Sequence, residues 1–412
     1  MGAGIAGLTS ALTLHRGGHR VRVFEAVPEI QTLGVGINLL PHSVSELWRL
    51  DLREPLDATA IRTGALRYHA TDGKTIWSEP RGIDAGYPCP QYSIHRGELQ
   101  QILLNTVLRE LGSDAVVTGR RFTHLSQTDK SVSAHFREEG SGGALEAVDG
   151  DCLIGADGIM STVRSGFYPD EGNPVYAGQI LWRGVTEAEP FADGRTMVMI
   201  GNNALKAVVY PIAARPNGRQ LINWIAERAI DKALPQNKGD WNKPGDKADF
   251  LEYFTNWHFD WLDMPKLFAG SEGCWEFPMV DRDPVARWSF DRVTLIGDAA
   301  HAMRPNGSNG ASQAILDAVA LADALHDETR IEAALKRYET ARLAATAALT
   351  LSNRQTGPEV VLQMVHERCP DGFDDIYDHF TEAELTEIAD SYKQLAGFTT
   401  QQVAAAMRQP DE

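Results

Sequence analysis

Three glycines at the start of the chain have a spacing that suits phosphate binding. Gly2, Gly4 and Gly7 form the pattern Gly-x-Gly-x-x-Gly, and the residues that follow have the apolar spacing of a helix. Such glycines let backbone N–H groups approach a pyrophosphate at the positive end of the helix. Glu25 follows a short apolar strand at 21–24, close to the separation of ~20 residues from the last glycine at which an acid binds ribose hydroxyls. These residues predict a dinucleotide site.

Two further turns place an acid beside a glycine. Asp157 and Asp298 each stand in such a pair at the end of an apolar strand, and the Gly-rich bend at 305–310 opens a long helix. Between the two acids, residues 175–278 form alternating, aromatic-rich strands. Because the strand–glycine–acid pattern returns after this region, we predict one nucleotide-binding domain that is interrupted by an antiparallel sheet.

The predicted fold class is α/β, with a Rossmann-like nucleotide-binding domain, an inserted and mostly antiparallel β-sheet substrate domain, and a helical C-terminal region. The nucleotide-binding domain is predicted at 1–70, 92–174 and 279–354, the substrate domain at 71–91 and 175–278, and the helical tail at 355–412. A polar loop is expected at 236–247. The strand that normally precedes the first glycine is absent from this sequence, so either residues ahead of it are missing or the fold compensates.

Composition limits the function classes. The net charge of −17 opposes non-specific nucleic-acid binding and, more weakly, binding to an anionic membrane surface. No apolar run reaches the ~20 residues of a membrane span, and glycines occupy the place of a signal peptide. The four cysteines share no short spacing, so neither a zinc site nor a disulfide framework is indicated. We therefore expect a cytoplasmic monomer or homodimer with reduced thiols and no metal.

The three signatures, in this order along the chain, resemble those of single-component FAD-dependent aromatic hydroxylases of the para-hydroxybenzoate and salicylate hydroxylase type. The resemblance is closer still to the phenazine hydroxylases that form pyocyanin. It runs from Gly2 to about Arg354. The segments that carry it are 33–38, 77–82, 92–99, 182–186, 279–284 and 309–317.

The resemblance implies hydroxylation of a planar aromatic or N-heteroaromatic substrate, phenazine-like or an aromatic carboxylate, with FAD, NADH or NADPH, and O2. In that family the oxygen comes from a flavin hydroperoxide, so the protein has to orient the ring and exclude water. Two alternatives stay open. One is a flavin-dependent halogenase, although Trp257, Trp261 and Pro265 do not have its Trp-x-Trp-x-Ile-Pro spacing. The other is a non-catalytic flavin-binding sensor.

The resemblance also implies roles for cofactor-binding residues. Asp298 would bind the ribityl chain, with Gly297 allowing its close approach, and Arg96 would lie against the pyrophosphate or ribose. Asp157 and Arg164 are implied in a joint FAD and nicotinamide site. The Gly-rich bend would present backbone N–H groups to the flavin, where negative charge accumulates on reduction. The predicted set is Gly2, Gly4, Gly7, Glu25, Val35, Gly36, Arg96, Asp157, Arg164, Gly297, Asp298, Gly307, Gly310 and Ala311.

The predicted catalytic residues are Arg304, Tyr210 and Pro305. Arg304 directly precedes Pro305, so it would place positive charge near the flavin or an anionic substrate unless it is exposed to solvent. A buried carboxylate needs a cationic or multi-donor partner. We predict Arg304 as the first candidate for that partner and Arg183 as the second.

Aromatic side chains suit the wall of a cavity that holds a planar ring. Trp182, Tyr210 and Trp224, on the predicted strands of the inserted sheet, are candidates for this wall, although any single one is more readily explained as sheet core. His301 stands close to Asp298, but the turn accounts for its position, so we predict a structural histidine.

Overall fold

The computed structural model describes residues 1–32, 34–230 and 243–408, so Leu33 and part of the expected polar loop, 236–242, lie outside the described residues. The helices are α1 Ile5–Arg16, α2 Pro41–Arg49, α3 Arg53–Thr59, α4 Arg96–Leu111, α5 Thr162–Phe167, α6 Met264–Ala269, α7 Asp298–His301, α8 Gly310–Asp327, α9 Ile331–Arg354, α10 Val360–Arg368, α11 Glu382–Ala396 and α12 Thr400–Arg408. The strands are β1 Val23–Phe24, β2 Gly36–Leu39, β3 Ile61–Thr63, β4 Ala65–His69, β5 Thr75–Pro80, β6 Gln91–His95, β7 Val116–Val117, β8 Arg120–Gln127, β9 Val132–Glu138, β10 Ala144–Gly150, β11 Leu153–Gly155, β12 Val175–Ala188, β13 Thr196–Gly201, β14 Leu205–Ala214, β15 Gln220–Ala229, β16 His258–Phe259, β17 Leu262–Asp263, β18 Cys274–Asp281 and β19 Val293–Leu295.

Short parallel strands build the nucleotide-binding part. β1 pairs with β7 and β11 pairs with β19, both in parallel. The first two residues lie between these pairs, because Gly2 N donates to Phe24 O at 2.8 Å and Ala156 N donates to Met1 O at 2.8 Å. The chain then turns into α1, which packs against α4 and α8. Met1 and Gly2 thus lie where the strand before the first glycine of such a fold normally runs, and the Rossmann-like α/β class is confirmed.

A seven-stranded sheet forms the second layer, with the strand order β18-β12-β15-β14-β13-β4-β5. Its neighbouring strands are antiparallel except for β13 and β4, which are parallel. β4 lies within the range predicted for the nucleotide-binding domain, yet it pairs inside this sheet. The sheet therefore takes strands from both sides of the predicted boundary at residue 70.

The two faces of this sheet have different neighbours because successive side chains of a strand point to opposite faces. On one face, Trp182 and Trp224 join a cluster of buried aromatic residues with Phe250 and Phe268. The other face includes Leu181, Met197, Met199, Val208, Tyr210 and Ile225. α10 covers part of this second face through buried apolar side chains such as Val361.

Smaller elements connect the two layers. β2, β6 and β3 form a three-stranded antiparallel sheet, and the N–H of Gly36 in β2 donates to Asn223 Oδ1 of β15 at 2.7 Å.

The predicted helical tail is present as α10, α11 and α12. Within the described ranges, no helix is long and apolar enough to cross a bilayer.

Candidate active site

A cavity of about 360 Å³ lies where the N-termini of α1 and α8 meet the Tyr210-bearing face of the seven-stranded sheet. It brings together many of the predicted residues from distant parts of the chain. Those that line it are Gly4, Gly36, Arg96, Tyr210, Asp298, Arg304, Pro305, Gly310 and Ala311. Gly2, Gly7, Glu25, Val35, Asp157, Arg164, Gly297 and Gly307 do not line it.

The glycines of the first turn divide into two kinds. A Cβ at Gly2 would lie 2.4 Å from Ala156 O, and a Cβ at Gly7 would lie 2.0 Å from Gly2 O, so close packing of the backbone requires glycine at both positions. A Cβ at Gly4 or at Gly310 would meet no atom within 4 Å. These two glycines open onto the cavity at the N-termini of α1 and α8, where backbone N–H groups favour negative charge.

Asp298 presents a carboxylate to the same cavity. Gly297 before it has φ +57°, and a Cβ there would lie 3.0 Å from Ala6 Cβ, so the turn requires a glycine to pack against α1. The Asp298 carboxylate accepts no hydrogen bond from any described residue. Its side chain faces the open cavity, but the surrounding protein removes much of its solvation, and this burial raises the pKa of Asp298 against the opposing charges of His301 and Arg96. The carboxylate is therefore suited to receive hydroxyl donors from a bound ligand.

Arg96 and Glu25 flank the glycine turn. Arg96 begins α4, its backbone N–H donates to Val35 O at 2.9 Å, and its exposed side chain lines the cavity. Glu25 Oε2 accepts from Ala3 N at 2.7 Å and Oε1 accepts from Val27 N at 3.0 Å. Glu25 thus holds the turn at the end of β1, where a ribose is expected.

The C-terminal tail supports the Gly-rich bend. Gly307 has φ +73°, and a Cβ there would lie 2.1 Å from the Tyr392 hydroxyl of α11. The same hydroxyl lies 3.2 Å from Asn306 O, and Gly307 N donates to Glu359 Oε1 at 3.3 Å. Gly307 is therefore required because the tail approaches it closely, and it does not face the cavity.

Asp157 and Arg164 hold local structure. Asp157 Oδ2 accepts from the backbone N–H groups of Thr162 and Val163 at 2.7 and 3.1 Å, which caps α5. The guanidinium of Arg164 is 1% exposed and donates to the carbonyl oxygens of Ala299 and Ala300. The predicted cofactor contact is corrected for Arg164, because a buried guanidinium whose donors are engaged by the protein cannot reach a ligand.

The predicted aromatic wall is also corrected. Trp182 and Trp224 are 3% and 0% exposed and belong to the opposite face of the sheet, so neither reaches the cavity. Tyr210 does line it. The apolar wall around Tyr210 consists of flexible and aliphatic side chains: Leu181, Met197, Met199, Val208, Ile225 and Met303.

Arg183 and Tyr210 meet at one backbone atom. Arg183 Nη2 and the Tyr210 hydroxyl each donate to Gly36 O at 2.8 Å. Nε of Arg183 is buried without a hydrogen-bond partner, and no ion pair joins its guanidinium to a carboxylate within the part of the chain that the structure describes. Burial lowers the pKa of Arg183, and Tyr210 opposes that change. The arrangement leaves a cation at the cavity without a counter-ion.

Arg304 is held by protein groups. Its Nε lies 3.3 Å from Asp281 Oδ2, and its Nη1 donates to Arg354 O at 3.2 Å. The side chain is 16% exposed, so the alternative of a solvent-exposed residue is excluded. Arg304 shares the Asp281 carboxylate with Arg354 and also donates to Arg354 O, whereas Arg183 has no carboxylate partner among the described residues, so Arg304 is less suited than Arg183 to bind a substrate carboxylate.

His301 is confirmed as a structural histidine. Its Nε2 lies 2.5 Å from Asp317 Oδ2 of α8, and only 4% of its side chain is exposed. Asp317 Oδ2 also accepts from Gly297 N at 2.9 Å. The pair therefore fixes the turn that presents Asp298.

Three charged residues of the cavity are missing from the predicted set: Lys206, Glu227 and Glu359. Lys206 and Glu227 lie on adjacent strands, β14 and β15, and Glu359 directly precedes α10. The available sequence signal is a charged residue inside an otherwise apolar strand, as in the run from Leu205 to Tyr210. No local pattern indicates Glu359.

Comparisons with known proteins agree with this geometry. Residues 1–352 match the FAD binding domain family, and the chain belongs to it. The chain is 46% identical over 357 residues to the phenazine 1,6-dicarboxylic acid hydroxylase of Lysobacter antibioticus, covering 86% of this chain and 88% of that protein. It is 30% identical over 367 residues to the 3-hydroxybenzoate 6-hydroxylase of Polaromonas naphthalenivorans, covering 86% of each.

Solved structures share the fold. A salicylate hydroxylase substrate complex matches with a TM-score of 0.73 at 22% identity, covering 99% of this chain and 97% of that one. HpxO of Klebsiella pneumoniae, complexed with FAD and uric acid, matches with a TM-score of 0.72 at 24% identity, covering 98% and 94%. Together with the named relatives, the family membership identifies an FAD-dependent aromatic monooxygenase that uses NAD(P)H and O2, as predicted. The comparisons give no support to the halogenase alternative.

Proposed function

We propose that the protein hydroxylates a planar N-heteroaromatic carboxylate of the phenazine type, with NADH or NADPH as reductant. The observation that carries this proposal is the guanidinium of Arg183, which faces the cavity without a carboxylate partner among the described residues. The 46% identity with a phenazine dicarboxylic acid hydroxylase supports the same substrate class. The apolar side chains next to Arg183 suit a flat ring.

The charge at Arg183 favours a carboxylate for a physical reason. Burial of a guanidinium is unfavourable unless an opposite charge or several acceptors compensate it. Gly36 O supplies one acceptor at 2.8 Å, and Nε stays without a partner. A substrate carboxylate in the cavity would supply the guanidinium with further acceptors, and the charge-assisted hydrogen bond would orient the ring against Leu181 and Ile225.

We assign the cofactor to the glycine-rich end of the cavity. The residues fit FAD: Gly4 and Gly310 leave open space at two helix N-termini, and Asp298 holds a carboxylate without a donor. Arg96 supplies a cation beside the first turn. Bound FAD supplies the redox chemistry with O2. The protein then has to hold the ring beside Tyr210 and Pro305 and keep water out.

A substrate screen tests this function. Purified holoenzyme is mixed with NADH or NADPH, O2 and a panel of planar ring acids that includes phenazine-1-carboxylate, phenazine-1,6-dicarboxylate and quinoline-2-carboxylate. We expect at least one ring acid to stimulate NAD(P)H oxidation and to gain a hydroxyl group. Stimulation without an oxygenated product for every acid in the panel would contradict the proposed substrate class. A complete lack of NAD(P)H oxidation would favour the flavin-binding sensor.

Oligomeric state and location complete the proposal. We infer a monomer or a homodimer. We further infer a cytoplasmic location, because the four cysteines are free in the structure and the sequence favours reduced thiols. Light scattering of the purified protein and fractionation of the source cells test the two statements. A higher oligomer or a membrane-pellet location would contradict them.

A further inference from the structure

A buried cluster of three charges lies at one wall of the cavity. Lys206 Nζ lies 3.0 Å from Glu227 Oε1 and 2.5 Å from Glu359 Oε2. The three side chains are between 5% and 7% exposed, and all three line the cavity. Buried charges of this kind are costly unless they are paired and hydrogen-bonded. The partners of each carboxylate therefore decide what the cluster can still bind.

The two carboxylates are satisfied to different extents. Glu359 Oε2 accepts from Asn306 Nδ2 at 2.9 Å in addition to Lys206, and Oε1 accepts from Gly307 N at 3.3 Å. Glu227 has no partner other than Lys206 within the described ranges. An ionised carboxylate can accept about four hydrogen bonds. Glu227 therefore keeps free acceptor capacity at the cavity.

Charge balance indicates what Glu227 would accept. One ammonium faces two carboxylates, so the cluster carries a net negative charge when all three groups are ionised. Burial raises the pKa of Glu227, Lys206 opposes this change and Glu359 adds to it. A second carboxylate on the substrate would be repelled here, whereas an N–H or O–H group would relieve the unsatisfied acceptor.

The sheet register relates this cluster to Arg183. Arg183 pairs with Ile225 across β12 and β15, and Glu227 lies two residues further along β15 on the same face. Two residues of a strand span about 7 Å. The sheet thus presents a cation and an acceptor on one face, about the length of a substituted aromatic ring apart along the strand. Ile225 lies opposite Arg183 and Leu181 lies opposite Glu227, so both apolar side chains adjoin the two charged ones.

We propose that Glu227 is a specificity-determining residue that accepts a hydrogen bond from an N–H or O–H group of the substrate ring, and that Lys206 and Glu359 position it. The inference rests on the proposed function in taking an aromatic ring as the occupant of the cavity. It adds a second recognition point to the carboxylate site at Arg183. A ring with one carboxylate and one donor is then favoured over a ring with two carboxylates.

Four probes separate the two recognition points. The dissociation constants of 3-hydroxybenzoate, 3-methoxybenzoate, phenol and anisole are measured by titration of the holoenzyme, with flavin absorbance as the readout. The first pair, 3-hydroxybenzoate and 3-methoxybenzoate, carries a carboxylate, and the second pair, phenol and anisole, does not. The two members of each pair differ only in that a methyl ether replaces the O–H donor. We expect the donor to tighten binding about tenfold or more in both pairs, as for one hydrogen bond to a charged group. The difference between the pairs measures the carboxylate site and so tests the proposed function separately.

Variants of Glu227 assign the preference to this residue. Glu227→Met removes the acceptor and leaves Lys206 paired with Glu359, so the donor preference should fall to about threefold or less. Glu227→Gln should retain part of it, because a neutral amide oxygen still accepts. Met199→Leu, in the same wall, is the matched control and should keep the wild-type ratio. If folded Glu227→Met keeps the wild-type ratio of the dissociation constants for the methyl ether and the O–H compound, the proposal is overturned. It is also overturned if the wild-type enzyme shows no preference for the O–H compound in either pair, and that result does not depend on the folding of a variant.

Discussion

The guanidinium of Arg183 donates to the carbonyl oxygen of Gly36 at 2.8 Å, although the two residues are 147 positions apart in the chain. Gly36 begins β2 of the nucleotide-binding part, and Arg183 lies in β12 of the large sheet. A Cβ at Gly36 would lie 2.7 Å from Asn223 Cβ, so only glycine allows this approach. The contact joins the cation of the proposed carboxylate site to a strand of the nucleotide-binding part.

The first prediction compares Arg183 with Arg304. Arg183→Lys should raise the KM for a ring acid by about tenfold or more, because a point charge does not reproduce the fork of donors. Arg304→Lys should have a smaller effect, since Arg354 still pairs with Asp281 at 2.8 Å. Steady-state kinetics of the two variants, at equal FAD content, provide the measurement. A larger increase in KM for Arg304→Lys than for Arg183→Lys would instead assign the binding of the substrate carboxylate to Arg304.

The second prediction concerns the glycine turn. Gly4→Ala places a methyl group in the open space of the cavity without touching protein atoms, so the protein should fold normally and bind FAD at least tenfold more weakly. Gly7→Ala places its Cβ 2.0 Å from Gly2 O, so it should lower the yield of folded protein. Circular dichroism and FAD titration measure the two effects. If Gly4→Ala binds FAD as tightly as the wild type, the proposal that the FAD pyrophosphate binds at this turn is contradicted.

The third prediction concerns Asp298. Asp298→Ala should weaken FAD binding by about 1–3 kcal/mol, the cost of losing a charged hydrogen-bond partner. The apoprotein should unfold at about the wild-type temperature, because no described residue donates a hydrogen bond to this carboxylate and its loss leaves no protein donor without a partner. Asp170→Ala, an exposed carboxylate removed as a control, should leave FAD affinity unchanged. Wild-type affinity in Asp298→Ala would contradict the ribityl assignment.

The fourth prediction concerns pH. His42 is buried in α2 and stacks on Phe398 at 5.3 Å, and burial lowers the pKa of His42 from 6.5 to about 3. Below pH 6.5 the unfolded chain binds a proton at this position that the folded protein does not bind, so stability is lost as the pH falls toward 3. His42→Gln should therefore reduce the drop in unfolding temperature between pH 6.5 and about 5. If the unfolding temperature drops by the same amount in His42→Gln as in the exposed control His326→Gln, the pH dependence is not due to His42.

Local patterns predicted the turns and the α/β class of the nucleotide-binding part, and the reason is physical. In the turn from Gly2 to Gly7, and again at Gly297 and Asp298, consecutive residues determine both the backbone geometry and the position of the next helix. The spacing alone therefore indicates where these turns lie. The resulting α/β class and the cofactor are confirmed.

The cavity wall proposed for the substrate could not be predicted from local sequence patterns, because it depends on which sheet face meets the cavity and on contacts between distant segments. The segment around Trp182 and Arg183 has large apolar side chains on both faces, Leu181 on one and Trp182 on the other, so alternation does not reveal which face meets the cavity, and the wall is predicted on the wrong side. Glu359 and Tyr392 reach the site from the tail through contacts across 52 and 86 residues. Such contacts follow from packing of distant helices, which no short motif encodes.

The most direct test of the account is the origin of the new oxygen atom. Purified holoenzyme, NADPH and phenazine-1-carboxylate, or the most stimulating acid of the panel, are allowed to react under oxygen-18 gas, and the product is analysed by mass spectrometry. We predict a hydroxylated product that contains one oxygen-18 atom and forms only when the ring acid and the reductant are both present. A product whose new oxygen comes from water, or a modified ring without new oxygen, would contradict the monooxygenase account.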